Sequence, residues 1–456
     1  MRTLVLVDGE HYPPVVVAAI DALPACLPGA AVVGAALLGG TEKLRAGLPD
    51  LGVELVTSTT PDDALLAGLA RFSPDLVVDL TDEPVLDDRS RMRLASRAMA
   101  AGAAYVGADF RFEPPPRPRV ARKATVAVIG TGKRTGKTAV TAHLARTLAA
   151  RGTVPVVVAM SRGGPVEPEL IDPATFDLSV AGLLDLSDRG RHAASDHLEG
   201  ALVAGVVTVG TRRCGGGLAG APFHDTFAAG VATADEQRGD LLLLEGSGRA
   251  IPPVHADATI CVVPAWADPE LVTGYAGAYR LLLSDAVVIT MADAPTTSPG
   301  EEAHARDAVL VLERSIRALV PGARILPTVF RPVPLAPIDG RRIVLATTAP
   351  STAAGLLRGH LEAEHGATVV GITHHLADRP ALRADLEAMG EAEVLVVELK
   401  AAAIDLAARF ATGRGMEVVF CDNRVVPIGA EGGFEDLGLA IADLALSRNH
   451  ETAGPT

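Results

Sequence analysis

The sequence feature that most constrains the fold is the segment VAVIGTGKRTGKTAV, from Val126 to Val140. Its apolar β-branched run, its glycine-rich turn and its helix-forming continuation predict a strand, a tight loop and the first turn of a helix. Such a loop points backbone N–H groups at an anion, and the helix N-terminus adds positive potential. The segment therefore predicts an α/β sheet with a phosphate-binding loop at one edge.

The loop fits the pattern G-x-x-x-x-G-K-[ST] with one exception: Thr131 occupies the first glycine position and Gly130 lies one residue earlier. In a loop of this kind we expect Lys137 to contact the β and γ phosphates and Thr138 to bind Mg²⁺. The alternative is a glycine-rich turn without a ligand. The predicted nucleotide-binding residues of the loop are Gly130, Thr131, Gly132, Thr135, Gly136, Lys137 and Thr138.

Alternating apolar and helical segments predict a chain of several α/β domains, since 456 residues exceed one ordinary core. Residues 1–115 are expected to form a small Rossmann-like parallel-sheet domain, which ends at the proline-rich linker RFEPPPRPRVARK. Residues 116–335 contain the phosphate-binding loop and form the nucleotide-binding core. After the proline-rich joint FRPVPLAPIDG, residues 336–448 form a third α/β unit or extend the central sheet. Residues 449–456 are predicted to be a disordered tail.

The composition narrows the class of partner. A formal net charge of −14 disfavours nucleic acid and anionic membranes, although it permits a small anionic substrate held by local cations. Apolar stretches are too short to span a membrane. The four cysteines are widely spaced and form neither a C-x-x-C pair nor a disulfide framework, so a reducing cytoplasm is expected.

Two acidic residues follow predicted strands of the core. Glu245 ends the buried run in DLLLLEGSG, where it is expected to bind Mg²⁺ or to orient the nucleophile. Asp293, in VVITMADAP, resembles the base-reading aspartate of [NT]-K-x-D loops. Because Met291 replaces the lysine of that pattern, ATP is expected rather than GTP. An ordinary surface carboxylate and an ordinary strand-end loop are the respective alternatives.

Basic residues and glycines follow other strands. In VGTRRCGGGLAG, Arg212 and Arg213 precede Gly215 and Gly216, and this combination suits an anion, because guanidinium groups match phosphate and glycines expose backbone donors. Arg162, in AMSRGGP, is expected at the same sheet edge. A flexible surface loop is the alternative.

Two more residues are candidates for substrate binding. His11 lies in LVDGEHYPP and Lys400 in VELKAAAID, each after a predicted strand. Open α/β sheets bind ligands at the carboxyl ends of their strands. A lone histidine is more often structural, and a lone lysine is usually solvated.

With these segments assembled, the sequence resembles the cyclic 2,3-diphosphoglycerate synthetase family. The resemblance is carried by DGEHYPPVV, YVGADFRFEPP, GTGKRTGKT, TRRCGGGLAG, LLLLEGSG, VITMA and ELKAAA, and the two most specific stretches are GTGKRTGKT and RRCGGG. The loop register is also similar to that of dethiobiotin synthetase, in which Gly-Thr precedes the turn. The resemblance implies ATP-dependent conversion of 2,3-diphosphoglycerate to its cyclic form with Mg²⁺, in a cytoplasmic homodimer.

Bringing two substrate phosphates together requires many cations. One pair of unit charges about 4 Å apart repels by about 4 kcal/mol at an effective dielectric constant of 20, and two dianions repel by roughly four times that energy. Lys133 and Arg134, the extra cations of the loop, are therefore expected to act in catalysis together with Lys137 and Glu245. Two alternatives are a kinase that makes 2,3-diphosphoglycerate from a phosphoglycerate, and a nucleotide-switch or metal-delivery protein.

Overall fold

The structure is a computed structural model of the chain, and it describes residues 1–40, 47–274, 276–293, 301–428 and 433–453. The first part of the chain contains β1 (Arg2–Val7), α1 (Pro13–Cys26), β2 (Ala31–Leu37), β3 (Leu55–Thr57), α2 (Pro61–Phe72), β4 (Leu76–Asp79), α3 (Asp88–Ala100), β5 (Ala104–Val106) and β6 (Arg111–Phe112).

The middle part contains β7 (Ala124–Gly130), α4 (Lys137–Ala150), β8 (Pro155–Ser161), β9 (Glu169–Ile171), α5 (Val180–Asp188), α6 (Asp196–Ala204), β10 (Thr208–Cys214), β11 (His224–Asp225), α7 (Phe227–Asp235), β12 (Leu241–Glu245), β13 (Ala258–Pro264), α8 (Pro269–Gly274), α9 (Ala276–Leu282), β14 (Ala286–Thr290) and α10 (Glu301–Leu319). The last part contains β15 (Arg324–Pro334), β16 (Arg342–Ala346), α11 (Ala354–His365), β17 (Thr368–Thr373), α12 (Arg379–Ala388), β18 (Val394–Glu398), a π-helical segment (Ala403–Ala408), α13 (Arg409–Gly413), β19 (Glu417–Pro427) and α14 (Phe434–Ala453).

The chain divides into two compact units. The first consists of Met1–Pro115 with Asp268–Leu283 and Ser315–Pro321, and the second of the remaining residues. The sheet of the first unit has the order β3-β2-β1-β4-β5-β6 and is parallel except at β6. Its helices begin at residues suited to that position, since Thr60 accepts a hydrogen bond from the backbone N–H of Asp63 and Asp87 accepts one from that of Ser90.

The second unit is built on one sheet, which has 13 strands within the described residues. Its order is β11-β10-β8-β12-β7-β13-β14-β15-β19-β18-β16-β17, with β9 paired to β10. The central strands are parallel and covered on both faces, which explains the continuous apolar run Leu241–Leu244 in β12. The loop predicted from the sequence follows β7, between β12 and β13, and the predicted α/β fold class is confirmed.

The last four strands, β16 to β19, are antiparallel to the core strands. Their direction is set by β15, which changes its pairing partner along its length. Its first residues pair in parallel with β14, and from Thr328 onward it pairs in antiparallel fashion with β19. β18 is parallel to β19, so it runs back toward the core and its last residue, Glu398, lies beside Cys421. The carboxyl ends of β18 and of the core strands therefore point toward each other, and residues 336–448 extend the central sheet.

Two segments differ from the sequence-based expectation. The joint expected at FRPVPLAPIDG is strand as far as Pro334. Leu335 donates its backbone N–H to the carbonyl oxygen of Phe420 in β19. Because successive backbone N–H groups of a strand point to opposite edges, the nitrogens of Pro332 and Pro334 face the other edge of β15, where a missing N–H is tolerated. The last helix extends to Ala453, well into the expected disordered tail, and residues 454–456 lie outside the described residues.

Candidate active site

The loop after β7 has the backbone geometry that its glycines predict. Gly136 has a φ of +94°, and a Cβ atom there would lie 2.2 Å from the Cζ atom of Phe330. A Cβ atom on Gly130 would lie 2.8 Å from the Oγ1 atom of Thr135. Arg134 has a φ of +59°, so the crest of the loop is also left-handed. Close contacts thus require glycine at both positions, and at Gly136 the left-handed backbone requires it as well.

Lys137 begins α4 and folds back over the loop. Its Nζ donates hydrogen bonds to the carbonyl oxygen of Gly132 at 2.9 Å and to the Oγ1 atom of Thr135 at 3.4 Å. Only 7% of the residue is exposed, and burial lowers the pKa of Lys137 while the neighbouring Glu245 carboxylate opposes that shift. The ammonium group is therefore held at the concave side of the loop, where a phosphate chain would lie.

Glu245 at the end of β12 lies beside Thr138. The two residues come together because β12 pairs directly with β7, and the Thr138 hydroxyl donates to the Oε1 atom of Glu245 at 2.6 Å. The Oε2 atom is buried and has no hydrogen-bond partner among the described residues. Burial, and next the Asp196 charge, raise the pKa of Glu245. A hydroxyl and a carboxylate with an unsatisfied oxygen fit the oxygen ligands that Mg²⁺ prefers.

The cations and the acid predicted around the nucleotide occupy different positions. Lys133 and Arg134 are exposed at the crest of the loop. The hydroxyl of Thr290, at the end of β14, donates to the carbonyl oxygen of Thr135, which ties the loop to the strand that precedes Asp293. Asp293 accepts a hydrogen bond from Arg331 at 2.6 Å, so its carboxylate is already paired.

The structure brings Arg162 and Arg213 together beside Gly248. A Cβ atom on Gly248 would lie 3.0 Å from one terminal nitrogen of Arg162 and 3.1 Å from one of Arg213. Arg213 is 8% exposed, and its Nε–H has no partner among the described residues. Burial, and next the Arg162 charge, lower the pKa of Arg213. Two converging guanidinium groups, one of them buried, have the charge and the geometry that suit an anion, and binding of substrate by this pair stays a prediction.

Arg212 has another role in the structure, although it is adjacent to Arg213. Successive side chains of a strand point to opposite faces. Arg212 donates to the carbonyl oxygens of Pro165 at 2.6 Å and Gly164 at 3.1 Å, and so fixes the loop after β8. Gly215, with a φ of +73°, turns the chain at the end of β10. The carbonyl oxygen of Gly215 accepts from Arg213 at 2.6 Å, and Gly216 lies next to the same guanidinium group.

Lys400, which was predicted to bind substrate, is engaged in an ion pair. Its Nζ lies 3.2 Å from the Oε1 atom of Glu199 in α6, because β18 points toward the core. Burial opposes the charged form, but Glu199 and Glu398 together raise the pKa of Lys400. Burial raises the pKa of Glu199 to about 7. Thr347 and Thr348 donate to the two oxygens of Glu398.

His11 lies in the first unit, after β1. Its Nδ1 is 2.8 Å from the Oδ1 atom of Asp8, which also accepts the backbone N–H groups of Glu10 and His11. The other oxygen of Asp8 accepts the N–H of Asp82. These contacts shape the loop after β1, and substrate binding by His11 stays a prediction.

The sequence analysis did not select several residues that the structure places at the site. Arg249 donates its Nε–H to the carbonyl oxygen of Thr131 at 2.8 Å, and Ser247 accepts from Arg213 at 2.8 Å. Asp196 begins α6, and its negative charge acts to raise the pKa of both Lys137 and Glu245. The signal for the first two was the GSGR turn directly after the acidic strand end. Asp196 had no recognisable motif.

A strand, a glycine-rich loop that ends in Gly-Lys-Thr, a helix and an acid on the neighbouring strand define a P-loop nucleotide-binding protein. Sequence-family models for the N-terminal, P-loop and C-terminal domains of cyclic 2,3-diphosphoglycerate synthetase match residues 2–113, 125–329 and 334–424. The chain belongs to the cyclic 2,3-diphosphoglycerate synthetase family, as the sequence resemblance predicted. It is a synthetase-type enzyme, and its P-loop domain implies the use of ATP.

Individual relatives agree with this assignment. The cyclic 2,3-diphosphoglycerate synthetase of Rubrobacter xylanophilus is 46% identical, over 95% of this chain and 96% of that protein. The synthetase of Methanothermus fervidus is 40% identical, over 98% and 97%. Among solved structures, LpxK from Aquifex aeolicus in complex with ATP covers 72% of this chain and 89% of its own, at 13% identity and a TM-score of 0.38, which is too weak to support an inference.

Gly136→Ala should weaken nucleotide binding more than ordinary backbone strain would. The substitution adds a left-handed alanine, which costs about 1–2 kcal/mol, and a contact with the Phe330 ring that costs about 1–3 kcal/mol more. The matched control is Gly152→Ala at the other end of α4, where φ is +87° and nothing lies within 4 Å of the added Cβ atom. Binding of a non-hydrolysable ATP analogue should be lost in the first variant and kept in the second; equal binding would contradict the packing argument.

Lys400→Met should destabilise the protein in a pH-dependent manner. Removing one partner of a buried ion pair costs about 3–5 kcal/mol, because the other charge stays buried, and the loss here should lie at the lower end of this range, since the Lys400 side chain is 33% exposed. The raised pKa of Glu199, about 7, means that this carboxyl is neutral at pH 5 and charged at pH 8. The difference in free energy of unfolding from wild type should thus be larger at pH 8 than at pH 5, measured by urea unfolding. Lys400→Arg is the control; an equal loss at both pH values would rule out this coupling.

Proposed function

We propose that the protein joins the two phosphates of 2,3-diphosphoglycerate, with ATP as the phosphoryl donor, to give cyclic 2,3-diphosphoglycerate, ADP and phosphate. The observation that supports this most directly is the pair Arg162 and Arg213 beside Gly248. Arg162 follows β8, Arg213 lies near the end of β10, and the P-loop follows β7, so the pair and the loop lie at the carboxyl edge of one sheet with β12 between them. A nucleotide and a second polyanion can therefore be held side by side.

The residues of the loop and of the arginine pair have separate tasks in this reaction. An oxygen of one substrate phosphate attacks the γ phosphorus, and the bond to the β phosphate breaks to release ADP. The neighbouring substrate phosphate then attacks the phosphorus that is bound to the glycerate oxygen, the bond from this phosphorus to the added phosphate breaks, and inorganic phosphate leaves. Lys137 stabilises the charge on the transferred group, and Arg162 and Arg213 hold the attacking phosphates in line. Lys133 and Arg134, at the crest of the loop, reduce repulsion between the two anions.

Thr138 and Glu245 are the residues that would hold Mg²⁺. The ion neutralises charge on the β and γ phosphates when it is bound. The unsatisfied Oε2 atom of Glu245 is the structural observation in favour of this assignment. Within the described residues there is no cluster of three or more histidine, cysteine, aspartate or glutamate side chains suited to a metal.

Phosphorus NMR tests the proposal. Purified protein, Mg-ATP and 2,3-diphosphoglycerate should give a new cyclic diphosphate resonance with one ADP and one phosphate per product. In a parallel reaction that starts from a phosphoglycerate, ATP-dependent formation of 2,3-diphosphoglycerate without any cyclic product in either reaction would establish the kinase alternative. Phosphate release without either product, or only with an added protein, would favour a nucleotide switch.

Two expectations about the cellular form stay predictions. A homodimer is expected from the family resemblance, and light scattering on the purified protein measures its mass. A cytoplasmic location is expected from the cysteine pattern. In the part of the chain that the structure describes, no helix combines the length and the hydrophobicity needed to cross a membrane.

A further inference from the structure

The turn Gly246–Ala250 contacts both sides of the site. Gly246 donates its N–H to Val128 in β7 at 2.9 Å, and Ala250 donates to Ser247 at 2.9 Å, so the turn is closed on itself and fixed to the strand before the P-loop. Gly246 leaves no room for a side chain, because a Cβ atom there would lie 2.7 Å from the carbonyl oxygen of Ala250. These contacts make the turn a rigid element.

The side of the turn that faces the arginine pair is built by Ser247 and Gly248. The carbonyl oxygen of Ser247 accepts from Arg213 at 2.8 Å. Gly248 has a φ of +60° and lies against the terminal nitrogens of Arg162 and Arg213. The turn therefore fixes the position of Arg213, and the missing side chain at Gly248 lets both guanidinium groups approach it.

The side of the turn that faces the nucleotide loop is built by Arg249. Its Nε–H donates to the carbonyl oxygen of Thr131 at 2.8 Å. Thr131 is itself buried, and its N–H donates to Val262 in β13 at 3.2 Å. Because Arg249 approaches this carbonyl group from the turn, the first residue of the P-loop is held to the same element that holds Arg213.

We propose that Arg249 is a positioning residue that sets the distance between the P-loop and the Arg162–Arg213 anion site, and so couples ATP consumption to ring closure. The inference rests on the proposed function. The phosphorylated intermediate can be attacked at phosphorus by the neighbouring substrate phosphate, which gives the cyclic product and phosphate. It can also be attacked by water, which regenerates 2,3-diphosphoglycerate and phosphate. A misplacement on the order of 1 Å costs as much as about 100-fold in an oriented reaction, whereas attack by water needs no such orientation.

The decisive measurement is the amount of phosphate released per cyclic product, followed by phosphorus NMR. Wild type should give a ratio of about 1, and Arg249→Met should exceed about 5, since reaction within the complex loses its orientation advantage. Arg249→Lys, which can still donate to Thr131, should restore much of the coupling. Arg151→Met is the control, because Arg151 directly follows α4 and its exposed side chain lies 3.8 Å from the Glu435 carboxylate at the surface.

The outcomes separate this inference from the proposed function. A ratio of about 1 in Arg249→Met, with or without a lower melting temperature, overturns the inference, because a purely structural role would not change coupling. If wild type forms no cyclic product, the proposed function fails. Arg249 is then tested by the linkage between a non-hydrolysable ATP analogue and 2,3-diphosphoglycerate. Loss in Arg249→Met of the effect of one ligand on the affinity for the other supports the inference, and an unchanged effect overturns it.

Discussion

Arg213→Met should lower kcat/KM for 2,3-diphosphoglycerate by about 1,000-fold while the protein stays folded. Charge-assisted hydrogen bonds contribute about 1.5–3 kcal/mol each, and a guanidinium group can donate two to a phosphate. Arg213 is buried beside Arg162, so its removal deletes the charge that would contact the anion. The substitution also removes the repulsion between the two guanidinium groups. Binding of an ATP analogue should change little, because Arg213 belongs to the other side of the site.

The effect on stability distinguishes this reading from a structural one. Two carbonyl oxygens, of Gly215 and Ser247, lose a donor in Arg213→Met, which costs about 1–3 kcal/mol, but an unfavourable buried charge also disappears. The free energy of unfolding should therefore stay within about 1 kcal/mol of wild type. A large loss of stability together with the loss of activity would contradict the assignment of Arg213 to substrate.

The neighbouring residue provides the matched control. Arg212→Met removes hydrogen bonds to Pro165 and Gly164 without touching the pair at Gly248, so it should destabilise the protein by about 1–3 kcal/mol. Its activity should fall much less than that of Arg213→Met at a temperature where both are folded. Urea unfolding and steady-state kinetics on both variants measure the contrast. An equal loss of kcat/KM in the two variants would contradict the separate roles assigned to Arg212 and Arg213.

The contrast between these two arginines shows where sequence analysis reached its limit. The P-loop could be predicted because its glycines, Lys137 and Thr138 act within a few consecutive residues. The motif RRCGGG predicted an anion site, but it could not say which arginine faces it, since the face depends on the register of β10 against β8. The role of Arg249 could not be predicted for a related reason: its partner, the carbonyl group of Thr131, is more than a hundred residues away in sequence.

The direction of strands β16 to β19 could not be predicted from the sequence either. Alternating strands and helices predicted the α/β class of residues 336–448, and this class is what the structure shows. The antiparallel pairing of β15 with β19 involves residues that are far apart in sequence, and the prolines within β15 indicated a joint instead. That pairing turns Lys400 toward Glu199, so a residue that local context could only describe as a possible phosphate ligand lies in an ion pair.

Glu245→Gln should lower kcat by about 1,000-fold and weaken the Mg²⁺ dependence of nucleotide binding, since a metal clamp on the phosphates is worth several kcal/mol. Glutamine keeps the shape of the side chain and can still accept a hydrogen bond from Thr138, so folding should survive. The matched control is Asp240→Asn, about 16 Å away and directly before the same strand, where the carboxylate accepts the N–H of Val154. Activity and Mg²⁺ dependence should be nearly normal in this control.

The pH dependence of stability provides a readout of Glu245 that needs no substrate. Burial raises the pKa of Glu245, so the folded protein binds a proton more tightly than the unfolded chain does. The favourable contribution of the protonated carboxyl is complete below the unfolded pKa of about 4.3 and is lost as the pH rises through the higher folded pKa. Without Mg²⁺, Glu245→Gln should therefore gain stability relative to wild type as the pH rises, measured by urea unfolding. A difference that does not change with pH would show that this carboxylate is not the buried charge that the structure places beside Thr138.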